Sequence, residues 1–179
     1  RIRIRRTSNR VNKELDLNFY IMNSHHTVAI GTWEGDKQQS IEYNSSIAVG
    51  IDCPRAKLRV SILLDTIQEY QVRYIFSDEE ISEAVNEAGL IIGARGIAYE
   101  GVLQRKPVIV VGEYGFGGLV TPDTLHEQYN NYFRGKINGI KAEYFSLERL
   151  EEEIRRGFAL TFQELQMMSN QTIRFLHNI

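Results

Sequence analysis

Short apolar runs alternate along this chain with longer stretches whose apolar residues recur at helical spacing. The runs at 90–92 and 108–111 are too short for core helices and are rich in β-branched residues, which suits strands buried on both faces of a parallel sheet. Further strands are expected at 47–51, 71–76 and 142–145. Between them, residues 56–70 carry Leu58, Ile62, Leu63, Ile67 and Tyr70 as the packed face of a helix. Ser77 with Asp78, Glu79 and Glu80 reads as the cap and acidic first turn of the next, which packs through Ile81, Ala84, Val85 and Ala88. A third helix is expected over 97–104, a fourth from Ser146 to about Gly157, and a last over 161–176 with Phe162, Leu165, Met168, Thr172, Phe175 and Leu176 on its core side.

This βαβ succession predicts an α/β fold: a doubly wound, mostly parallel sheet of Rossmann-like type. Upstream, 17–23 and 27–30 have strand character, and 34–46 is polar without a clear period. The expected organisation is an N-terminal segment or linker at 1–46, a ligand-binding α/β domain at 47–160, and a C-terminal helix at 161–179 that packs on the domain or its partner.

Composition narrows the picture. The chain has 179 residues, enough for one well-buried domain. Its 23 acidic and 21 basic residues nearly balance, so no global field draws it to nucleic acid, and none is expected as a partner. The single cysteine, Cys53, reads as a small buried hydrophobe. No apolar stretch approaches the roughly 20 residues that span a bilayer. Five arginines lie within the first ten residues, fitting a charged edge strand, a basic terminus or a peripheral contact with an anionic surface. His25 and His26 are adjacent without further ligands nearby, and there is no Asp-x-Asp cluster, so no metal site is expected.

The chemistry concentrates in GLIIGARGIAYEGVLQRKPVIVVGEYGFGGLVTP, which begins at Gly89. Both central apolar runs end in glycine, and Gly115, Gly117 and Gly118 follow as a second glycine loop where a ligand could approach the backbone. Open α/β sheets bind ligands at this carboxyl edge. The helix at 97–104 would aim unpaired N–H groups there and favour a phosphate. Glu100 would repel a phosphate but accepts hydrogen bonds, so it suits the diol of a ribose. Its bland alternative is electrostatic support of the helix's first turn. The segment 121–136, with His126, Tyr129, Tyr132 and Arg134, reads as a polar aromatic helix or lid-like connection.

From Gly89 to Gly112 the sequence resembles the donor-binding, C-terminal domain of two-domain GT-B-type nucleotide-sugar glycosyltransferases, whose pattern is a glycine turn, a small-residue helix start, Glu-Ala-Met/Leu-Ala and Gly-x-Pro-Val-Ile. The likeness is weaker through GGLVTPD and the helix at Ser146, and faint before Gln71. It implies that Glu100 holds the ribose hydroxyls, that the N–H groups of Gly96 and Ile97 face the pyrophosphate with Arg95 beside them, and that Gly117 and Gly118 belong to the donor-side loop. Gly101 departs from the usual alanine, and Arg105-Lys106 from the usual Gly-Lys or Gly-Arg. The residues upstream are too few for an acceptor domain.

The implied activity is sugar transfer from a UDP- or GDP-sugar to an acceptor glycan, lipid-linked sugar or other hydroxyl compound, with the upstream acceptor domain as partner and no further cofactor. The implied setting is the cytoplasm, with peripheral membrane contact at the inner face. Rival readings are a non-catalytic nucleotide-binding or assembly module and a nucleotide-sugar epimerase. A nicotinamide-dependent dehydrogenase is disfavoured because no G-x-G-x-x-G follows an early strand.

Overall fold

The computed structural model describes residues 46–136 and 139–177. The chain divides into two units, Arg1–Gln38 and Gln39–Ile179, and the described residues belong to the second. The strands expected at 17–23 and 27–30, the His25 and His26 pair and the arginine-rich start lie outside the described residues.

In chain order the elements are β1 (Ser46–Gly50), α1 (Pro54–Ile67), β2 (Gln71–Tyr74), a 3-10 turn (Asp78–Glu80), α2 (Ile81–Glu87), β3 (Leu90–Gly93), α3 (Gly96–Leu103), β4 (Val108–Gly112), β5 (Gly115–Leu119), α4 (Leu125–Asn130), α5 (Leu147–Phe158) and α6 (Phe162–His177). They form an α/β unit around one five-stranded sheet of order β2-β1-β3-β4-β5. The first four strands run parallel, and β5 returns antiparallel to β4.

Alternation along each strand divides the core in two. Ile47, Val49, Ile92, Ile109 and Val111 pack with Ala56, Val60, Leu63 and Leu64 of α1 and with Leu150 and Ile154 of α5. Ala48, Ile91, Val108 and Val110 pack on the opposite side with Ala84 and Val85 of α2, Ala98 and Val102 of α3, and Leu165 and Met168 of α6. Every residue of β3 and β4 is buried, which accounts for their unbroken apolar sequence. Each such Val, Ile or Leu stabilises the fold by roughly 1.5–3 kcal/mol relative to exposure.

Several expectations need correction. The packed stripe of α1 is Ala56, Val60, Leu63 and Leu64, whereas Leu58 and Ile62 are exposed. At about 100° per residue, Leu58 and Ile62 fall on the far side of the stripe that starts at Ala56. Ser77 makes no side-chain cap; the Glu80 carboxylate accepts the Phe76 N–H instead, at 3.2 Å.

Residues 142–145 form a turn, not a strand. The Tyr144 N–H closes on the Lys141 carbonyl, and the Phe145 carbonyl is taken by Arg59 Nε and Nη2 at 3.0 and 2.7 Å. Phe145 is nevertheless buried, stacked 4.6 Å from Phe116. Finally, the glycine loop expected at 115–118 is strand β5.

The last helix belongs to this same core through Leu165, Met168 and Thr172, but Phe162, expected on its core side, is exposed. Ser169 Oγ of α6 donates to the Leu103 carbonyl of α3 at 2.9 Å, and Arg105 Nη1 donates to Gln166 Oε1 at 2.8 Å. In the 121–136 segment, Tyr129 packs 4.8 Å from Phe175, so that aromatic is structural. No described helix is long and apolar enough to cross a membrane.

Candidate functional site

The parallel strands β1, β3 and β4 end together, and the chain leaves that edge through Asp52 and Cys53, Ala94 and Arg95, and Glu113. These residues with Gly112 line a cavity of about 270 Å³. Strands β1 and β3 are neighbours, yet the chain leaves them in opposite directions along the sheet, first to β2 and later to β4. Such a switch point opens the crevice in which α/β sheets bind ligands.

The first turn of α3 sits tightly on this edge. A Cβ at Gly93 would stand 2.5 Å from both the Gly50 carbonyl oxygen and Ile97 Cγ2, so this glycine lets Ile97 seat against the sheet. Ile97 is thereby buried. Gly96 is different: it is exposed, and a Cβ there would meet only Ile81 Cδ1 at 3.9 Å. Among the described residues no acceptor meets the N–H groups of Gly96, Ile97 and Ala98, the unpaired donors of the helix start.

Arg95, which precedes them, has φ 54° and ψ −124°, a conformation suited to glycine. Its N–H is tied to the Phe133 carbonyl at 3.0 Å. Phe133 and Tyr132 are themselves left-handed, with φ 52° and 55°. Three of the five described non-glycine residues with positive φ therefore meet at one edge, and strain of this kind, about 1–3 kcal/mol each, persists only where surrounding structure imposes it.

The side chains form a charged chain across the edge. Arg95 Nη2 lies 2.8 Å from Glu113 Oε2, and Arg134 Nε lies 3.3 Å from Glu113 Oε1. The second pair is an ion pair by distance only, since Arg134 Nε finds no hydrogen-bond partner. Arg134 Nη1 reaches the Tyr114 hydroxyl at 3.3 Å, and its guanidinium stands 5.9 and 5.6 Å from the rings of Tyr114 and Tyr132. That hydroxyl, with Glu113 close by, holds the Arg134 guanidinium above its usual range.

Of the residues that sequence reasoning placed at this edge, Arg95 lines the cavity, whereas Gly96 and Ile97 start the adjoining helix and are outside its lining. Glu100 is one turn further along α3, only 6 % exposed, and outside the cavity lining. Its Oε1 accepts the Gln104 amide at 2.6 Å. Burial pushes its carboxyl above the usual range, and the Gln104 bond opposes that shift.

Gly117 and Gly118 sit in β5 instead of a loop, and they answer packing demands. Gly117 is passed over at the register shift in the β4–β5 ladder, and its carbonyl accepts the Gln128 amide at 2.9 Å; a Cβ there would stand 2.9 Å from Gln128 Nε2. Gly118 has φ +77° and lies against Glu153, whose buried carboxylate accepts the Leu119 N–H at 3.0 Å.

Glu113 was missed as a site residue, although the sequence holds a signal for it. Glu113 and Tyr114 form the two-residue connection between β4 and β5, flanked by Gly112 and Gly115. A larger cavity of about 460 Å³ lies at the other end of β5, lined by Leu119, Pro122, Arg156, Glu164 and Met167 among others. Of its charged side chains, Glu164 accepts the Thr161 N–H and hydroxyl, each at 2.8 Å, and Arg156 pairs with Glu153, while Asp123 also borders it. The smaller cavity is the better candidate because it lies at the ends of the parallel strands, at the switch point. Among the described residues no group of three or more His, Cys, Asp or Glu could hold a metal ion.

No protein-family model, curated protein or solved structure matches this chain.

Proposed function

We propose that the crevice at the ends of β1, β3 and β4 binds the diphosphate of a UDP- or GDP-sugar, and that the chain is the donor half of a GT-B-type glycosyltransferase with a doubly wound fold. The observation that carries this reading is the start of α3, where free N–H groups of Gly96 and Ile97 stand beside the exposed guanidinium of Arg95. Sugar transfer builds charge on the departing diphosphate, and donors fixed in advance stabilise that charge without reorganising. An arginine fork adds two-point recognition of phosphate oxygens. The base that activates the acceptor hydroxyl belongs to the partner domain, so little transfer is expected from this chain alone.

Calorimetric titration of the 179-residue chain with UDP and GDP tests the proposal. Saturable binding that Arg95→Ala weakens at least tenfold supports it; no binding at millimolar nucleotide refutes it. The ribose role of Glu100 is separable, because that carboxyl is buried and already bonded to Gln104. Weaker UDP binding by Glu100→Gln supports ribose contact, and unchanged affinity returns Glu100 to a structural role.

A second reading, a nucleotide-binding assembly module, draws on the exposed residues bordering the same edge. Phe76, Tyr114, Tyr132 and Ile140, in the segments that follow β2, β4 and β5, are 78, 41, 72 and 51 % exposed. Partner binding that persists without nucleotide favours that reading.

A further inference from the structure

We infer that Glu113 is a built-in occupant of the anion site, its carboxylate holding in the empty protein the guanidinium that a ligand phosphate takes over. The inference rests on the diphosphate reading above and identifies the residue that sets the site's affinity for anions.

The geometry is that of a competitor. Glu113 Oε2 sits 2.8 Å from Arg95 Nη2, a charge-assisted bond across the wall of the cavity. A carboxylate and a phosphate offer the same kind of acceptor oxygen to the same fork, so the two compete for Arg95 Nη2. Glu113 stands in the short connection between β4 and β5 and is more than a third exposed, so its side chain can swing into water without disturbing the ladder. Its hold on Arg134 is already imperfect, because that Nε is buried at 3.3 Å without a hydrogen bond.

Charge decides the consequence. With Glu113 in place the cavity lining carries Asp52 and Glu113 against Arg95, two carboxylates to one guanidinium, which disfavours an anion. With Glu113 turned away, Arg95 is released to the ligand, while Arg134 keeps its contact with the Tyr114 hydroxyl. Diphosphate binding thus includes the rupture of a half-exposed ion pair, and neutralising Glu113 removes that opposition.

The test is titration of the full chain, Glu113→Gln and Glu113→Ala with UDP and with inorganic pyrophosphate, uridine serving as a phosphate-free control and thermal melts confirming the fold. Both variants are expected to bind both anions about fivefold more tightly, the upper end of what an exposed pair opposes, with uridine unchanged. The gain should vanish in Arg95→Ala/Glu113→Gln. Equal or weaker anion binding by the variants, with binding by the parent intact, overturns the inference and leaves the site standing. An equal gain for uridine also overturns it, and absence of anion binding in all proteins overturns both.

Discussion

Arg95 supplies an unusual stability test, because its backbone conformation suits a residue without a Cβ. At φ 54° and ψ −124° any side-chain-bearing residue is strained by about 1–3 kcal/mol, whereas glycine adopts this region freely. Replacement by alanine keeps the strain and loses the pair with Glu113, a contact between side chains 47 and 39 % exposed that contributes about 0.5 kcal/mol. Replacement by glycine loses the same pair and relieves the strain, against a flexibility penalty in the unfolded chain of about 0.4–1 kcal/mol. Arg95→Gly should therefore be more stable than Arg95→Ala by about 1 kcal/mol, the reverse of the order at an ordinary exposed position. For a chain of this size that is a difference in Tm of roughly 2–4 °C. Parallel thermal melts by circular dichroism measure it, and UDP titration of the same samples should find both variants impaired to the same extent. Alanine equal to or more stable than glycine would refute the strain, and with it the view that this arginine is held against its backbone preference.

Two further outcomes follow from buried carboxylates. Glu153 accepts the Leu119 N–H and pairs with Arg149 and Arg156 at 2.7 and 3.2 Å, so Glu153→Ala leaves a buried donor unmet and should destabilise by about 2 kcal/mol in urea titration; a loss below about 0.5 kcal/mol would deny it a role in holding β5 to α5. Glu100, raised by burial, titrates at higher pH in the folded protein than in the unfolded chain, so the folded state binds the extra proton. Its contribution to stability is full below the unfolded pKa and is lost as pH rises through the folded one. Glu100→Gln should therefore melt higher than the parent at pH 7, with the advantage shrinking towards pH 4; a constant difference across that range would contradict the linkage.

What could be read from the sequence was whatever one element states by itself. The runs at β1, β3 and β4 are continuous and apolar, so they announce strands. Strand β5, GFGGL, has three glycines and no period, and its pairing depends on Gln128 and Glu153 reaching it from distant helices. Leu58 and Ile62 misled the reading of α1 because apolar residues on an exposed face look like core until a neighbour is known to be absent. Ser146 was legible, since a cap is a local device: its Oγ accepts the Arg149 N–H at 3.2 Å. At the candidate site, Arg95 and Gly96 could be placed side by side from sequence because strand, turn and helix start are contiguous. Glu113 could not be joined to them, since its partner Arg95 lies 18 positions away and only the sheet order brings the two together.

The central claim is that a diphosphate binds at the start of α3, and a crystal structure of the chain soaked with UDP or GDP tests it most directly. The expected result is phosphate oxygens within hydrogen-bond distance of the Gly96 and Ile97 N–H groups and of the Arg95 guanidinium, with the Glu113 carboxylate displaced. Nucleotide bound in the larger cavity beside Arg156 and Glu164, or a crevice that stays empty at saturating nucleotide with Arg95 still paired to Glu113, would contradict it.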